Sequence, residues 1–152
     1  SGGSPDPQGG QKASSDLLTA HPEMDLLFVE TDPMFPGVEA EIKSHNKVPG
    51  KDILVVCAAD GLKAAMDAIK DGRLMATGYN SPLLNGTTIV DLIHEMFEKN
   101  RDVNNLVANA YTPAYIITSD NVDEFYDPNL DVAKPVPFSV PTVDEYNAQA
   151  AQ

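Results

Sequence analysis

The chain has 152 residues, 42% of them hydrophobic, and carries 10 Lys and Arg against 23 Asp and Glu, a formal net charge of −13. This length is typical of one domain with its own buried core. A surface this negative repels phosphate backbones and anionic lipid, so nucleic acid is not an expected partner.

The chain carries no motif that predicts an enzyme, a metal site or a cofactor. Cys57 is the only cysteine, and its apolar surroundings in the sequence favour a buried side chain over a reactive thiol. His21, His45 and His94 are widely separated and show no metal-ligand spacing. Phosphate loops, nucleophile elbows and zinc-protease motifs are not found in the sequence.

The amino-terminal quarter predicts a lead-in, a helix and a strand. Residues 1–10 are rich in Gly, Ser and Pro and are predicted to form a flexible lead-in. Residues 11–20 predict a short helix that ends at His21-Pro22, because the residue before a proline avoids the α region. The apolar run Leu26–Val29 predicts the first strand.

Two strand–helix units follow this strand. Asp32-Pro33 predicts a helix start with Asp32 as its cap, and this helix is expected to end near Ser44. The run Ile53–Cys57 is almost wholly apolar, which is typical of a strand covered on both faces. A helix is predicted over about 61–70, where apolar residues recur at helical spacing.

A third strand, a long helix and a fourth strand complete the pattern. The run Leu74–Gly78 predicts the third strand, and Ser81-Pro82 predicts a helix start. The helix is expected over about 83–99, with an apolar stripe of Ile89, Leu92, Ile93, Met96 and Phe97. The run Ala114–Thr118 predicts a fourth strand.

The carboxyl-terminal segment 126–152 is rich in proline and is predicted to be an extended, loosely attached tail, with a frayed helix over Asp144–Gln152. Before it, strands and helices alternate along the chain. That alternation predicts right-handed βαβ units, and therefore an α/β fold with a doubly wound parallel sheet.

Polar residues follow the predicted strands at their carboxyl ends, where small molecules bind in open α/β sheets. Asp60 is a candidate acceptor for ligand hydroxyls, or else the cap of the next helix. Asn80 offers donors and an acceptor on one amide, or else only a turn before Ser81. Thr31 and Tyr79 are weaker candidates, since the first can simply end a strand and the second can pack in the core.

Several segments resemble one known family. The segment Ala68–Thr77, AIKDGRLMAT, followed by Asn80, Pro82 and Gly86, is similar to the type I periplasmic sugar-binding proteins of ABC importers, in the ribose/galactose-binding branch. Further similar segments are Asp16–Val29, Asp32-Pro33-Met34 with Gly37, and Thr118–Asp123. The resemblance covers roughly residues 11–125.

The resemblance implies two lobes with sugar in the cleft between them, of which this chain supplies an incomplete carboxyl-terminal one. It implies that Asp60 is the sugar-binding aspartate and that Asn80 takes the position of an amide near the hinge. Thr31 falls where many members carry an Asn, and Ala58-Ala59 replace the family's usual Gly-aromatic pair.

The resemblance also implies that the amino-terminal lobe and the first βα unit of the second lobe are absent, and that helix 83–99 belongs to the other lobe. Its apolar stripe would then lack the lobe against which it normally packs. Soluble proteins rarely expose a large apolar patch, so this stripe needs another partner. We expect one of three arrangements: a piece of a split binding protein, a fragment that self-associates, or a helix folded back onto its own sheet.

The resulting hypothesis is a periplasmic or extracellular binding protein for a small sugar or polyol, associated with the membrane through its permease. The expected partners are the sugar, the missing amino-terminal lobe, as a separate fragment or a second copy, and the permease. The alternatives are the effector domain of a LacI-type transcription regulator and a stand-alone interaction domain without a small ligand.

Overall fold

A computed structural model describes residues 4–150, with only the backbone of residue 150. The chain divides into two compact units. The first runs to Asn80 and resumes over Ala114–Lys134, and the second comprises Ser81–Pro113 and the residues from Pro135 onward.

The first unit is a four-stranded sheet with helices. Its strands are β1 (Leu26–Val29), β2 (Leu54–Cys57), β3 (Ala76–Tyr79) and β4 (Tyr115–Thr118). Its helices are α1 (Pro7–Ala20), α2 (Phe35–Ser44), α3 (Lys63–Lys70) and α5 (Val122–Phe125), and a 3₁₀ turn at Asp32–Met34 precedes α2. The predicted α/β class is confirmed, and β1 has its predicted bounds.

The strands lie in the order β1-β2-β3-β4. The first three are parallel, with Val29 beside Cys57 and Cys57 beside Thr77. The fourth corrects the all-parallel prediction, because β4 is antiparallel to β3. A parallel strand would require a crossover on this sheet. The residues between β3 and β4 belong instead to the second unit, and the chain re-enters the sheet antiparallel to β3.

One face of the sheet is buried and the other is largely exposed, which corrects the prediction that β2 is covered on both faces. The buried face presents Leu27, Val29, Val55, Cys57, Thr77 and Ile117. On the opposite face Phe28 is 71% exposed and Ile116 is 68% exposed, and Leu26 and Leu54 are also exposed. Right-handed crossovers between successive parallel neighbours place α2 and α3 on the same side, which leaves the other face open.

Helix α1 begins four residues before its predicted start, so the predicted lead-in 1–10 is wrong from Pro7 onward; residues 1–3 lie outside the described part. The Asp6 carboxylate accepts a hydrogen bond from the Gly9 amide at 2.8 Å and caps the helix. A Cβ atom on Gly37 of α2 would lie 1.8 Å from the Pro7 carbonyl oxygen. Gly37 therefore permits close packing of α2 on α1, and Gly10 permits the close approach of α1 to the Met34 backbone. Composition alone does not distinguish such glycines from those of a loop.

The second unit contains α4 (Pro82–Glu98), a 3₁₀ turn at Val103–Asn105 and α6 (Val143–Ala150). The predicted start of α4 is confirmed, since the Ser81 hydroxyl accepts from the Leu84 amide at 3.2 Å. In the predicted stripe Leu92 and Met96 are half-buried, whereas Phe97 is 76% exposed. No helix within residues 4–150 has the length and apolar character needed to cross a bilayer.

The carboxyl-terminal segment is attached more firmly than predicted. The Ala133 amide donates to the Gly61 carbonyl at 2.7 Å, and the Lys134 amide donates to the Phe125 carbonyl at 2.8 Å, so this part belongs to the first unit. In the second unit the Arg101 guanidinium donates to the Val140 carbonyl. The predicted tail helix coincides with α6 over residues 144–150, and residues 151–152 fall outside the described residues.

Candidate functional site

The carboxyl edge of the three parallel strands brings the predicted positions to one side of the sheet. β1, β2 and β3 are successive neighbours, and Thr31, Asp60 and Asn80 follow their ends by two, three and one residues. Because the strands run in the same direction and in close register, these residues share one edge.

Asp60 has a strained backbone. Its φ is 102°, a value that residues other than glycine rarely adopt, and Gly61 follows with φ 65°. Such a conformation costs on the order of 1–3 kcal/mol and is found mainly where function requires it. Asp60 is not the cap of the next helix, since α3 begins at Lys63 with Leu62 in the cap position.

Thr31 and Asp60 are in direct contact. The Thr31 hydroxyl donates a hydrogen bond to Asp60 Oδ2, across 29 residues of sequence. Within residues 4–150 the second carboxylate oxygen, Oδ1, accepts no hydrogen bond. The Thr31 oxygen also keeps lone pairs that can accept from another hydroxyl. The pair therefore presents acceptors with a fixed orientation.

Asp32 corrects the prediction that it caps its own helix. It is 4% exposed, and its carboxylate accepts from the Thr77 hydroxyl at 2.6 Å and from the Leu62 amide at 2.7 Å. The Leu62 amide lies at the start of α3, so Asp32 satisfies the next helix rather than its own. Burial raises the pKa of Asp32 to about 6, and the nearby Asp60 carboxylate acts in the same direction.

Asn80 and Tyr79 lie side by side in sequence but differ in environment. Asn80 is exposed at the end of β3, where its amide is accessible. Tyr79 is 2% exposed, its hydroxyl donates to the Lys134 carbonyl at 3.2 Å, and its ring packs against Tyr115 and Phe125. The structure therefore supports core packing for Tyr79 and corrects its prediction as a ligand contact.

The other titratable groups of the described residues suggest no further chemistry at this edge. In residues 4–150, no three His, Cys, Asp or Glu side chains are grouped so that they can hold a metal ion. Burial raises the pKa of the Cys57 thiol, which keeps it protonated and unreactive.

Sequence reasoning missed the connection between Asp32 and Thr77. A polar Thr77 inside an otherwise apolar strand was the available signal, because a fully buried hydroxyl requires a hydrogen-bond partner. Pairing it with Asp32 requires the sheet order, which the sequence pattern leaves open.

Comparison with known proteins agrees with this architecture. The model of the periplasmic binding protein domain family matches residues 1–101. The ribose import binding protein RbsB of Bacillus subtilis is 39% identical over 77 residues, which are 51% of this chain and 24% of that protein. RbsB of Salmonella typhimurium is 35% identical over 68 residues, 45% of this chain and 22% of that protein.

Solved structures show the same likeness. The periplasmic binding component of the arabinose ABC transporter from Shewanella sp. ANA-3, bound to L-arabinofuranose, has a TM-score of 0.64 at 26% identity, over 78% of this chain and 38% of that one. A solute-binding protein from Bacillus halodurans with bound myo-inositol has a TM-score of 0.65 at 25% identity, over 80% of this chain and 39% of that one.

The curated matches cover about half of this chain and the structural matches about four-fifths of it, but each covers a minority of the relative. The chain spans about a quarter of the curated relatives' length, 24% and 22%. The two structures are likewise matched over less than two-fifths of their length, 38% and 39%. The family match over residues 1–101 nevertheless covers more than half of the chain, which belongs to the periplasmic binding protein domain family.

Proposed function

We propose that the carboxyl edge of β1, β2 and β3 binds a small sugar or polyol within the substrate-binding protein of an ABC importer. Asp60, Thr31 and Asn80 are the proposed contacts. The observation that carries the proposal is the Asp60 carboxylate, which stands on a strained backbone and is oriented by Thr31 at the edge of the sheet.

The chemistry of these groups suits a ligand rich in hydroxyls. A carboxylate oxygen that accepts from a hydroxyl forms a charge-assisted hydrogen bond, roughly twice as strong as a neutral one. Asp60 Oδ1 supplies that acceptor, the Thr31 oxygen supplies a second, and the Asn80 amide both donates and accepts. A ligand dominated by phosphate groups is disfavoured by the net charge of −13.

The remaining half of the site is proposed to come from the amino-terminal lobe of such a protein. Small-ligand sites bury most of the ligand's surface, whereas one sheet edge contacts a single side. The exposed apolar face around Phe28 and Ile116 supports a further packing partner. A second copy is the less suitable occupant, because two chains of charge −13 repel each other.

In this proposal the function is binding and delivery, without a catalytic step. The intact protein closes around its sugar in the periplasm or at the cell surface, and the permease recognises the closed form. Import binding proteins among the relatives favour transport over a regulator's effector domain or a stand-alone interaction domain. D-ribose, L-arabinose and myo-inositol are the first ligands to test.

The proposal is tested by thermal shift and calorimetry of this chain with those three ligands at high concentration. We expect one of them to raise the Tm, and Asp60→Asn to remove the effect. Asparagine tolerates positive φ better than alanine does, so this variant changes the charge without adding backbone strain.

Asp25→Asn is the matched control, because Asp25 is exposed and immediately precedes β1, at the opposite edge of the sheet. It should leave the ligand response unchanged. An equal response in wild type and Asp60→Asn would remove Asp60 from the site, and no response to any polyol would contradict the proposed function for this chain.

A further inference from the structure

We propose that Asp32 is a positioning residue for the sugar-binding edge: its buried carboxylate holds the turn at Asp60–Leu62 so that the Asp60 carboxylate faces the ligand. This inference rests on the proposed function, since it concerns the geometry of the same site. Asp32 itself is 4% exposed, so in this proposal it acts through the turn and not by touching the ligand.

The contacts of Asp32 link three separate parts of the first unit. Asp32 Oδ1 accepts from the Thr77 hydroxyl of β3, and Oδ2 accepts from the Leu62 amide, just after the strained residue. The Asp32 amide also donates to the Ala59 carbonyl at 3.3 Å, just before that residue. Asp32 is therefore bonded to the chain on both sides of the Asp60-Gly61 step.

The turn has further support on its other side. The Gly61 carbonyl accepts from the Ala133 amide at 2.7 Å, and a Cβ atom on Gly61 would meet the Ala133 Cβ at 3.3 Å. The positive φ of Asp60 is unfavourable by itself, so it persists only where several contacts fix it. Asp32 provides the contacts on the side of β1 and β3.

The carboxylate of Asp32 is the form that holds the turn best, because each of its oxygens accepts one hydrogen bond. The groups that face it are the Asp60 carboxylate, the Cys57 thiol and the Thr77 hydroxyl. Glu39 and Arg73 line the adjoining cavity and pair with each other at 2.9 Å. Since the pKa of Asp32 is about 6, the turn should be held most firmly above that pH.

The test compares wild type with Asp32→Asn and Thr77→Val. An amide accepts with one oxygen only, so the first variant weakens the connection, and the second removes the donor from β3 while keeping its shape. There are three readouts. The NMR coupling between the amide and α protons of Asp60 reports its φ. The other two are the pH profile of the Leu62 amide chemical shift and the affinity for D-ribose. Asp25→Asn is again the control.

We expect both variants to change the Asp60 coupling, and Asp32→Asn to abolish an inflection of the Leu62 shift near pH 6. Affinity for D-ribose should fall about tenfold at pH 7, the loss expected for one hydrogen bond to a charged group. At that pH the Tm of Asp32→Asn should equal or exceed that of wild type, because a buried charge is removed.

A purely structural role predicts lower Tm and lower affinity together, with the Asp60 coupling unchanged, and that result would overturn the inference. If wild type binds no D-ribose or other polyol, the proposed function fails while the coupling and the Leu62 profile still decide whether Asp32 positions Asp60.

Discussion

Thr31 donates its hydroxyl hydrogen to Asp60 and so joins the loop after β1 to the turn after β2 at the carboxyl edge of the sheet. Thr31→Val removes this bond with little change of shape. We expect a loss of about 1 kcal/mol in the free energy of unfolding, since the bond is partly exposed, together with weaker sugar binding. Thr31→Ser keeps the hydroxyl and should retain most of both properties in urea denaturation and calorimetry. Equal losses in the two variants would contradict a role for the hydroxyl.

The buried Asp32 predicts a specific dependence of stability on pH. Its pKa is raised from 3.8 to about 6 in the folded chain, so folding favours the protonated form. This contribution to stability is fully present below about pH 3.8 and is lost as pH rises through about 6. The complete loss is on the order of 3 kcal/mol in the free energy of unfolding.

Asp32→Asn should remove this loss. Urea denaturation of wild type and variant between pH 4 and pH 8 isolates the effect, because the other carboxyl groups titrate in both proteins. The difference in unfolding free energy should shift in favour of the variant as pH rises. A constant difference across this range would show that Asp32 titrates normally.

Gly78 allows the ends of β2 and β3 to approach each other. A Cβ atom at this position would lie 2.0 Å from the Ala58 carbonyl oxygen, and the backbone of Ala58 and Ala59 leaves it no room. Gly78→Ala should therefore lower the free energy of unfolding by about 2 kcal/mol or more. Gly86→Ala in α4 is the control: nothing lies within 4 Å, and it should stabilise the helix by about 0.5–1 kcal/mol. Thermal denaturation that shows the reverse order would refute the close approach.

Adjacent residues of β1 test which face of the sheet is covered. Leu27 is buried and Phe28 is exposed. Leu27→Ala should lower the free energy of unfolding by about 2–5 kcal/mol, whereas Phe28→Ser should change it by no more than about 0.5 kcal/mol. A large effect at Phe28 would show that another chain covers this face in solution, and sedimentation analysis would identify a second copy.

The sequence predicted the strands and the edge because apolar runs and strand-end polar residues are local signals. β1 has its predicted bounds, and Thr31 and Asp60 meet as expected from parallel neighbours. The direction of β4 was not predictable, since an apolar run of five residues carries no information about orientation. Tyr79 packs in the core because it lies on the buried face of β3, which depends on register rather than on residue type.

Two other errors have a common physical cause. Residues 7–10 were predicted to be a loop because they contain two glycines, yet Gly10 lets α1 approach the backbone of Met34 and Gly9 leaves room for the backbone of Ser4. Asp32 was predicted to cap its own helix because a cap is the local partner of an aspartate before a proline. Its actual partners, Leu62 and Thr77, are 30 and 45 residues away in sequence.

The most direct test of the central claim is a titration of this chain with D-ribose, L-arabinose and myo-inositol, followed by amide chemical shifts in ¹⁵N-labelled protein. We predict that one of these ligands shifts the amides of Thr31, Asp60, Gly61 and Asn80 in a saturable manner, and that Asp60→Asn abolishes the shifts. Saturable shifts confined to the second unit, around Arg101 and Val140, or no shifts with any polyol, would contradict a sugar site at the carboxyl edge of β1, β2 and β3.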